Sequence, residues 1–204
     1  MRWDRLFDDL EGQLEHELSA EELDHAAEEE RLRLGRLSLR DRLLALHEAE
    51  AGLEEHAPPA AVAVALRNGE QIAVRPTTFG RDWFAADIVD DRHRRTQCVV
   101  PLAAVAALVL TRAQVDASLN PVTSEAGAHS LSARLTLPFV LRDLCRRRAG
   151  VDLRTLDGVV HGTIDRVGRD HLDLAVHEAG RPRRQSAVSQ YRVVPLDQLM
   201  LVRL

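Results

Sequence analysis

Three short motifs occur twice along this chain of 204 residues, each time in the same order. The second occurrences follow the first by 89, 88 and 94 residues. These offsets exceed the period of about 20 to 50 residues that is typical of solenoid repeats. The repetition predicts two copies of one small domain, with a longer hairpin late in the second copy. The paired motifs are Asn68-Gly69 with Asp157-Gly158, Phe79–Phe84 with Val167–Leu172, and Val99–Leu102 with Val193–Leu196.

Each copy is predicted to contain five short strands. Asn-Gly and Asp-Gly are strong turn signals between strands, and we expect Gly80 and Gly168 to take positive φ in the next turn. Five short, bent strands are expected to close into a small barrel, which leaves no long exposed edge. The predicted fold class is α+β: an N-terminal helical segment followed by two tandem five-stranded small β-barrels, each preceded by a helix.

Strand alternation is clearest around the second turn. One parity is expected to face inward (Ile164, Leu172, Leu174, Val176) and the other outward (His161, Thr163, Asp165, His171, Asp173). A turn centred on Gly168 places Asp165 opposite His171 and Thr163 opposite Asp173. We interpret these residues as polar cross-strand pairs rather than metal ligands, because no metal-binding spacing accompanies them.

The second copy resembles the Sm-like, SH3-type small barrels. The resemblance is carried by Asp157-Gly158, by Gly162-Thr163-Ile164 and by the strand Leu172-Asp173-Leu174. It implies a barrel preceded by a helix, and Leu135–Arg148 fits that place. The second Sm signature is replaced by Val-Val-Pro-Leu in both copies, so no binding residue of the family is carried over.

The whole chain also resembles a group of actinobacterial proteins, through its opening Trp3–Leu10, its first barrel and the run Gly162–Gly168. This resemblance implies no activity. The predicted domains are an acidic helical segment at 1–57, a first small barrel at 60–112, a linker at 113–133, and a helix plus second barrel at 134–204.

The helical segment is amphipathic and strongly acidic. Residues 1–57 contain 17 acidic residues and 7 arginines, a net charge of −10. Ser19 and Glu22 form a capping-box pattern that begins a second helix, which Gly35 ends, and Ser38 begins a third. We expect residues 1–57 to bind a protein partner or a second copy through an apolar face that consists of Trp3, Leu6, Phe7, Leu10, Leu14 and Leu18.

Two further groups of side chains are candidates for binding. Trp83 has the outward parity and is a candidate for the same partner face, although burial under neighbouring elements is the favoured interpretation. Eight arginines could contact phosphates, but helix capping and solvated hairpin tips are favoured because residues 111–204 carry a net charge of only +4. They are Arg146, Arg147, Arg148, Arg166, Arg169, Arg181, Arg183 and Arg184.

The sequence contains no motif for a nucleophile, a phosphate loop or a dinucleotide. We therefore predict a non-catalytic interaction scaffold without cofactor or metal; the alternative is an RNA- or DNA-binding protein that uses Sm-like barrels and the arginine clusters. Cys98 and Cys145 stand alone, which predicts reduced thiols in a cytoplasmic protein. No run of apolar residues is long enough to suggest a membrane partner.

Overall fold

The computed structural model describes residues 22–51, 61–89, 96–122, 131–180 and 184–204. The chain divides into two compact units, with the boundary after Ser38. In the first unit the described part is a helix over residues 22–36, α1, where the second N-terminal helix is predicted. The predicted apolar face from Trp3 to Leu18 lies outside the described residues.

The helices of the second unit follow local capping signals. Thr111 begins α3 with a capping box, in which its hydroxyl accepts from Gln114 N–H and its own N–H donates to the Gln114 side chain. This helix lies in the segment that is predicted to be a linker. Pro138 lies in the first turn of α5, where its missing N–H leaves no acceptor unsatisfied. The helices are α2 (Leu39–Ala51), α3 (Arg112–Ser118), α4 (Leu131–Arg134) and α5 (Leu137–Arg146).

Ten strands lie between and after these helices in the part of the chain that the structure describes. The first five belong to what we call the first half of the sheet and the last five to the second half. Their bounds are β1 (Val62–Leu66), β2 (Gln71–Phe79), β3 (Trp83–Ile88), β4 (Thr96–Pro101), β5 (Val105–Val109), β6 (Gly150–Thr155), β7 (Gly158–Val167), β8 (His171–Val176), β9 (Gln190–Pro195) and β10 (Leu199–Arg203).

The α+β class is confirmed, but the prediction of two separate five-stranded barrels is wrong. The described strands form one antiparallel sheet in the order β5-β1-β2-β3-β4-β10-β6-β7-β8-β9. A barrel in the first half would need β4 to pair with β5. Instead β4 pairs with β10 of the second half, so the sheet continues through both halves and stays open at β5 and β9.

The two halves repeat the same strand order and the same irregularities. Within each half the order is fifth, first, second, third and fourth strand. The ladder between the second and third strands shifts register between Pro76 and Thr78, and again between Ile164 and Arg166, 88 residues later. A β-bulge at the same place bends both halves in the same way.

The apolar side chains form two core clusters, and each cluster takes residues from both halves. Leu43 and Leu46 of α2 pack in the first cluster together with Met200 of β10. Leu141 of α5 packs in the second cluster together with Val99 and Trp83 of the first half. The halves therefore depend on each other for a complete core.

The inward positions Ile164, Leu172 and Leu174 are buried as predicted. The predicted cross-strand pairs are wrong, because the bulge shifts the register: Arg166 lies opposite Asp173 and Thr163 opposite Ala175. Thr163 is also buried rather than outward-facing, and its hydroxyl lies 2.9 Å from His177 Nε2.

Gly80 and Gly168 do not have the positive φ that the sequence suggests. Their lack of a side chain serves the packing of the turn instead. A Cβ on Gly80 would lie 2.1 Å from Trp83 Nε1, and a Cβ on Gly168 would lie 2.6 Å from the His171 ring. Each glycine therefore lets the ring three residues later fold over the turn.

This difference in surroundings predicts different costs for the same substitution. Gly80→Ala should lower the free energy of unfolding by about 2 kcal/mol, because the buried Trp83 ring must move. Gly168→Ala should change it by less than about 0.5 kcal/mol, because the exposed His171 ring can turn into solvent. Urea unfolding of both variants tests this, and equal losses would mean that backbone conformation rather than ring packing requires glycine.

Candidate functional site

The pairing of β4 with β10 creates an internal seam between the halves. Val202 lies opposite Val99, and Arg203 opposite Cys98. Beyond the ladder, Leu204 N–H donates to Gln97 O at 2.9 Å. The contact between the halves is therefore a short antiparallel ladder with apolar side chains at its centre.

Side chains from turns and neighbouring strands extend the internal seam. Arg154 of β6 forms an ion pair with Glu70, which precedes β2. Arg67 donates from Nη2 to Asp197 O at 2.8 Å. These contacts add an ion pair and a bond to a main-chain carbonyl to the ladder between the halves.

The turn Gly80–Trp83 holds the start of α5. Leu137 N–H donates to Asp82 Oδ1 at 2.7 Å, and Trp83 Nε1 donates to Leu135 O at 3.0 Å. Arg81 N–H donates to the same carbonyl at 2.9 Å. Trp83 is only 5% exposed, so it does not lie on an open partner face and is buried as the favoured interpretation expected.

The second half repeats this turn at Gly168–His171. Gly80 N–H donates to Trp83 O and Gly168 N–H donates to His171 O, both at 2.8 Å. His171 is exposed in contrast to the buried Trp83, whereas Asp82 and Asp170 are both exposed. Asp170 and His171 hydrogen-bond each other at 2.8 Å. A groove of about 660 Å³ lies beside this turn, with a largely apolar lining.

The two ends of the sheet are exposed where the internal seam is covered. Val193 of β9 stands where Val99 stands in β4, 94 residues earlier, and their exposed fractions are 67% and 4%. At the other end, β5 corresponds to β10, and Val109 is 48% exposed. Both ends thus present apolar side chains beside strand edges that pair on one side only among the described strands.

The predicted arginine cluster is only partly assembled in the described residues. Arg146 and Arg147 both bind Asp143, at 2.5 and 2.7 Å, and these bonds together with the two arginine charges hold the pKa of Asp143 below its usual range. Arg166 lies 3.9 Å from Asp173. Arg169 and Arg184 are exposed; Arg181 and Arg183 lie outside the described residues.

Arg148 has a structural role at the end of α5. It has φ of 50°, and its N–H donates to Cys145 O while Ala149 N–H donates to Leu144 O. This bonding is a Schellman motif, which usually places glycine at the left-handed position. The motif thus follows Arg146, the last residue of α5, within the range Leu135–Arg148 that the sequence predicts for this helix.

The polar residues of β6–β8 pair with one another. His161 Nδ1 donates to the Asp152 carboxylate at 2.6 Å, and the His161 and His177 rings meet edge to face at 5.2 Å. No group of three or more potential metal ligands occurs among the described residues. Asp165 and Asp173 are half-buried on neighbouring strands.

No protein-family model matches this chain, and comparisons with curated proteins and with solved structures also find no match. None of the described helices is both long and apolar enough to cross a membrane. The sheet ends were missed by the sequence analysis, although the repeated Val-Val-Pro-Leu motif contains both Val99 and Val193.

Relief of the backbone strain at Arg148, which has a left-handed conformation, should stabilise the folded chain. Arg148→Gly is expected to raise the free energy of unfolding by about 1 kcal/mol and the melting temperature by about 2–4 °C. Arg147→Gly, at a right-handed position, should lower both. Calorimetry of the two variants checks this, and a loss of stability in Arg148→Gly would show that its side chain makes a larger contribution.

The thiol of Cys98 should make stability depend on alkaline pH. Burial raises its pKa from 9.0 to about 12, so the folded chain keeps a proton that the unfolded chain loses. The free energy of unfolding should therefore fall between pH 9 and 12, by up to about 1.4 kcal/mol per pH unit. Cys98→Ala should show a shallower fall in urea titrations at several pH values; parallel curves would contradict the assignment.

Proposed function

We propose that this protein is a non-catalytic scaffold that assembles head to tail with copies of itself. In this proposal β9 of one copy pairs with β5 of the next, as β4 pairs with β10 inside the chain. The interaction scaffold expected from the sequence thereby acquires a specific surface, the two ends of the sheet. We place it in the cytoplasm, as the sequence predicts.

The observation that carries the proposal concerns the exposed apolar residues of the second half. Among the described residues of strands β6–β9 and the turns between them, four large apolar side chains are exposed. The repeat assigns each of them a corresponding residue in the first half. Each of these corresponding residues contacts the second half across the internal seam. They are Leu156, Val159, Tyr191 and Val193, which correspond to Arg67, Glu70, Gln97 and Val99.

The other end of the sheet is changed in a complementary way. Inside the chain Glu70 pairs with Arg154; between copies Val159 would face Ala65, the counterpart of Arg154. Inside the chain Arg67 binds Asp197 O; between copies Leu156 would face Ala103. The ion pair is thus replaced by an apolar pair in which both members are changed, and the arginine that binds a main-chain carbonyl is replaced by a leucine.

The ladder itself fits the same register. Leu108 would lie opposite Val193, as Val202 lies opposite Val99. Val109 would lie opposite Arg192, so that this pair, like Arg203 with Cys98, contains a single arginine. Strand addition of this kind supplies main-chain hydrogen bonds and satisfies an otherwise open edge.

The eight candidate arginines give less support to the nucleic-acid alternative, because Arg146 and Arg147 are bound to Asp143 and Arg148 ends a helix. Self-association through residues 1–57 stays a separate prediction, since its apolar face lies outside the described residues.

A charge on either sheet end should disrupt the assembly. Val193→Arg should weaken association about 30-fold, since about 2 kcal/mol of side-chain burial is lost. Phe139→Arg, which changes an exposed aromatic residue of α5, should leave association unchanged. Sedimentation velocity over a range of concentrations measures this. A wild-type chain that stays monomeric at all concentrations would overturn the proposal.

Mixing two blocked variants tests the head-to-tail direction. Val193→Arg blocks β9, and Val109→Arg blocks β5 by placing two arginines opposite each other. Each variant alone should stay monomeric, whereas the mixture should form a one-to-one dimer through the intact ends. If Val109→Arg alone forms dimers, β9 pairs with itself and the head-to-tail arrangement is wrong.

A further inference from the structure

We propose that the turn Gly168–His171 is a docking site for the start of α2 in the next copy, where the Asp170 carboxylate accepts the N–H of Leu39. This inference rests on the proposed head-to-tail assembly and names a second contact within it. The partner is a second copy of this chain, and the contact joins a turn of one copy to a helix of the other.

The precedent lies inside the chain. The turn Gly80–Trp83 receives the start of α5 through Asp82 and Trp83. The turn Gly168–His171 has the same backbone bonding, including Leu196 N–H to Asp170 O at 2.8 Å, which matches Leu102 N–H to Asp82 O at 2.9 Å. None of the described helices begins on this second turn, and His171, which stands in the place of the buried Trp83, is exposed.

The helix that would fill the site is identified by its sequence. Leu39, Leu43 and Leu46 of α2 match Leu137, Leu141 and Leu144 of α5 at a constant offset of 98 residues. The turn of chain before each helix also matches: Leu37 N–H donates to Leu34 O, and Leu135 N–H donates to Ser132 O. Both helices have the same apolar spacing and the same kind of start.

Packing places α2 and β5 on the same half. Leu43 and Leu46 of α2 lie in the first core cluster, against which Val105 and Leu108 of β5 also pack. Likewise α5 and β10 share the second cluster through Leu141 and Val202. Inside the chain, β10 pairs with β4 and the start of α5 meets the turn Gly80–Trp83. A copy that adds its β5 to β9 would in the same way bring the start of its α2 to the turn Gly168–His171.

The electrostatics of the two groups are complementary. The first N–H groups of a helix have no acceptor within the helix and carry partial positive charge. The hydrogen bond from His171 lowers the pKa of Asp170, which keeps its carboxylate ionised and able to accept. The groove beside the turn, lined by His171, Val193 and Pro195, offers apolar surface for the helix that arrives.

Removal of the acceptor should weaken the assembly. Asp170→Ala should reduce association about tenfold, the size of effect expected for loss of a helix-capping acceptor. Asp170→Asn keeps an acceptor oxygen and should retain most of the association affinity that Asp170→Ala loses. Asp24→Ala removes the same charge from the exposed face of α1 and should behave like the wild type in sedimentation velocity.

Amide hydrogen exchange locates the contact and separates its failure from that of the assembly. Above the association concentration, the Leu39 and β5 amides should both exchange more slowly than in monomeric Val193→Arg. Asp170→Ala, at concentrations where it still associates, should lose the protection of Leu39 and keep that of β5. Protected β5 amides with an unprotected Leu39 in the wild type would overturn the docking site alone; no protection of either would overturn the assembly as well.

Discussion

The pairing of β4 with β10 is the interaction on which the rest of this structure depends. A strand has two edges, and β4 uses one for β3 and the other for β10. It therefore has none left for β5, and the first half cannot close. At the far end, β9 pairs with β8 alone among the described strands. A strand that paired with its other edge, as β10 pairs with β4, would have to come from a third half.

The internal seam and the sheet ends share a geometry but differ in chemistry. Ion-paired and hydrogen-bonded positions at the seam, such as Glu70 with Arg154, become apolar positions at the ends, such as Val159 and Ala65. An end that met the wrong surface would leave a charged group buried without its partner, which is costly. In the proposed assembly, the divergence of the two halves would therefore keep the internal pairing of β4 with β10 and the pairing of β9 with β5 between chains from competing, although both ladders have the same register.

Much of the secondary structure could be predicted from the sequence, because turns and alternation are local signals. The three repeated motifs mark matching turns and strands, and α5 (Leu137–Arg146) lies within the predicted helix Leu135–Arg148. The route of the sheet could not be predicted, since β4 has the same apolar pattern whether it pairs with β5 or with β10. The bulge after Ile164 also has no local signal, and it changed the expected partners of Thr163 and Asp165. The Sm-like resemblance stays a prediction.

The candidate site was harder to predict for a related reason. Val99 and Val193 are both followed by Val-Pro-Leu, so both look like core residues. The strand order shows that one is covered and the other exposed. Trp83 shows the opposite error: its outward parity suggested an exposed partner face, but the side chain is buried. That parity does point away from its own half, but the partner is the second half of the same chain.

Trp83 of the first half is covered by the second half, whereas His171, at the same position of the second half, is exposed. This difference bears on whether the proposed assembly closes or stays open. If the step from half to half is repeated between copies, each interface is heterologous and the assembly either closes into a ring or grows as an open filament. Since every copy contributes two halves, a closed ring contains an even number of halves, and it leaves no strand edge exposed. An open chain always leaves one β5 and one β9 at its ends. The rotation that relates the first half to the second half at the internal seam would therefore decide between a ring and a filament, because the same rotation would be repeated at every contact between copies.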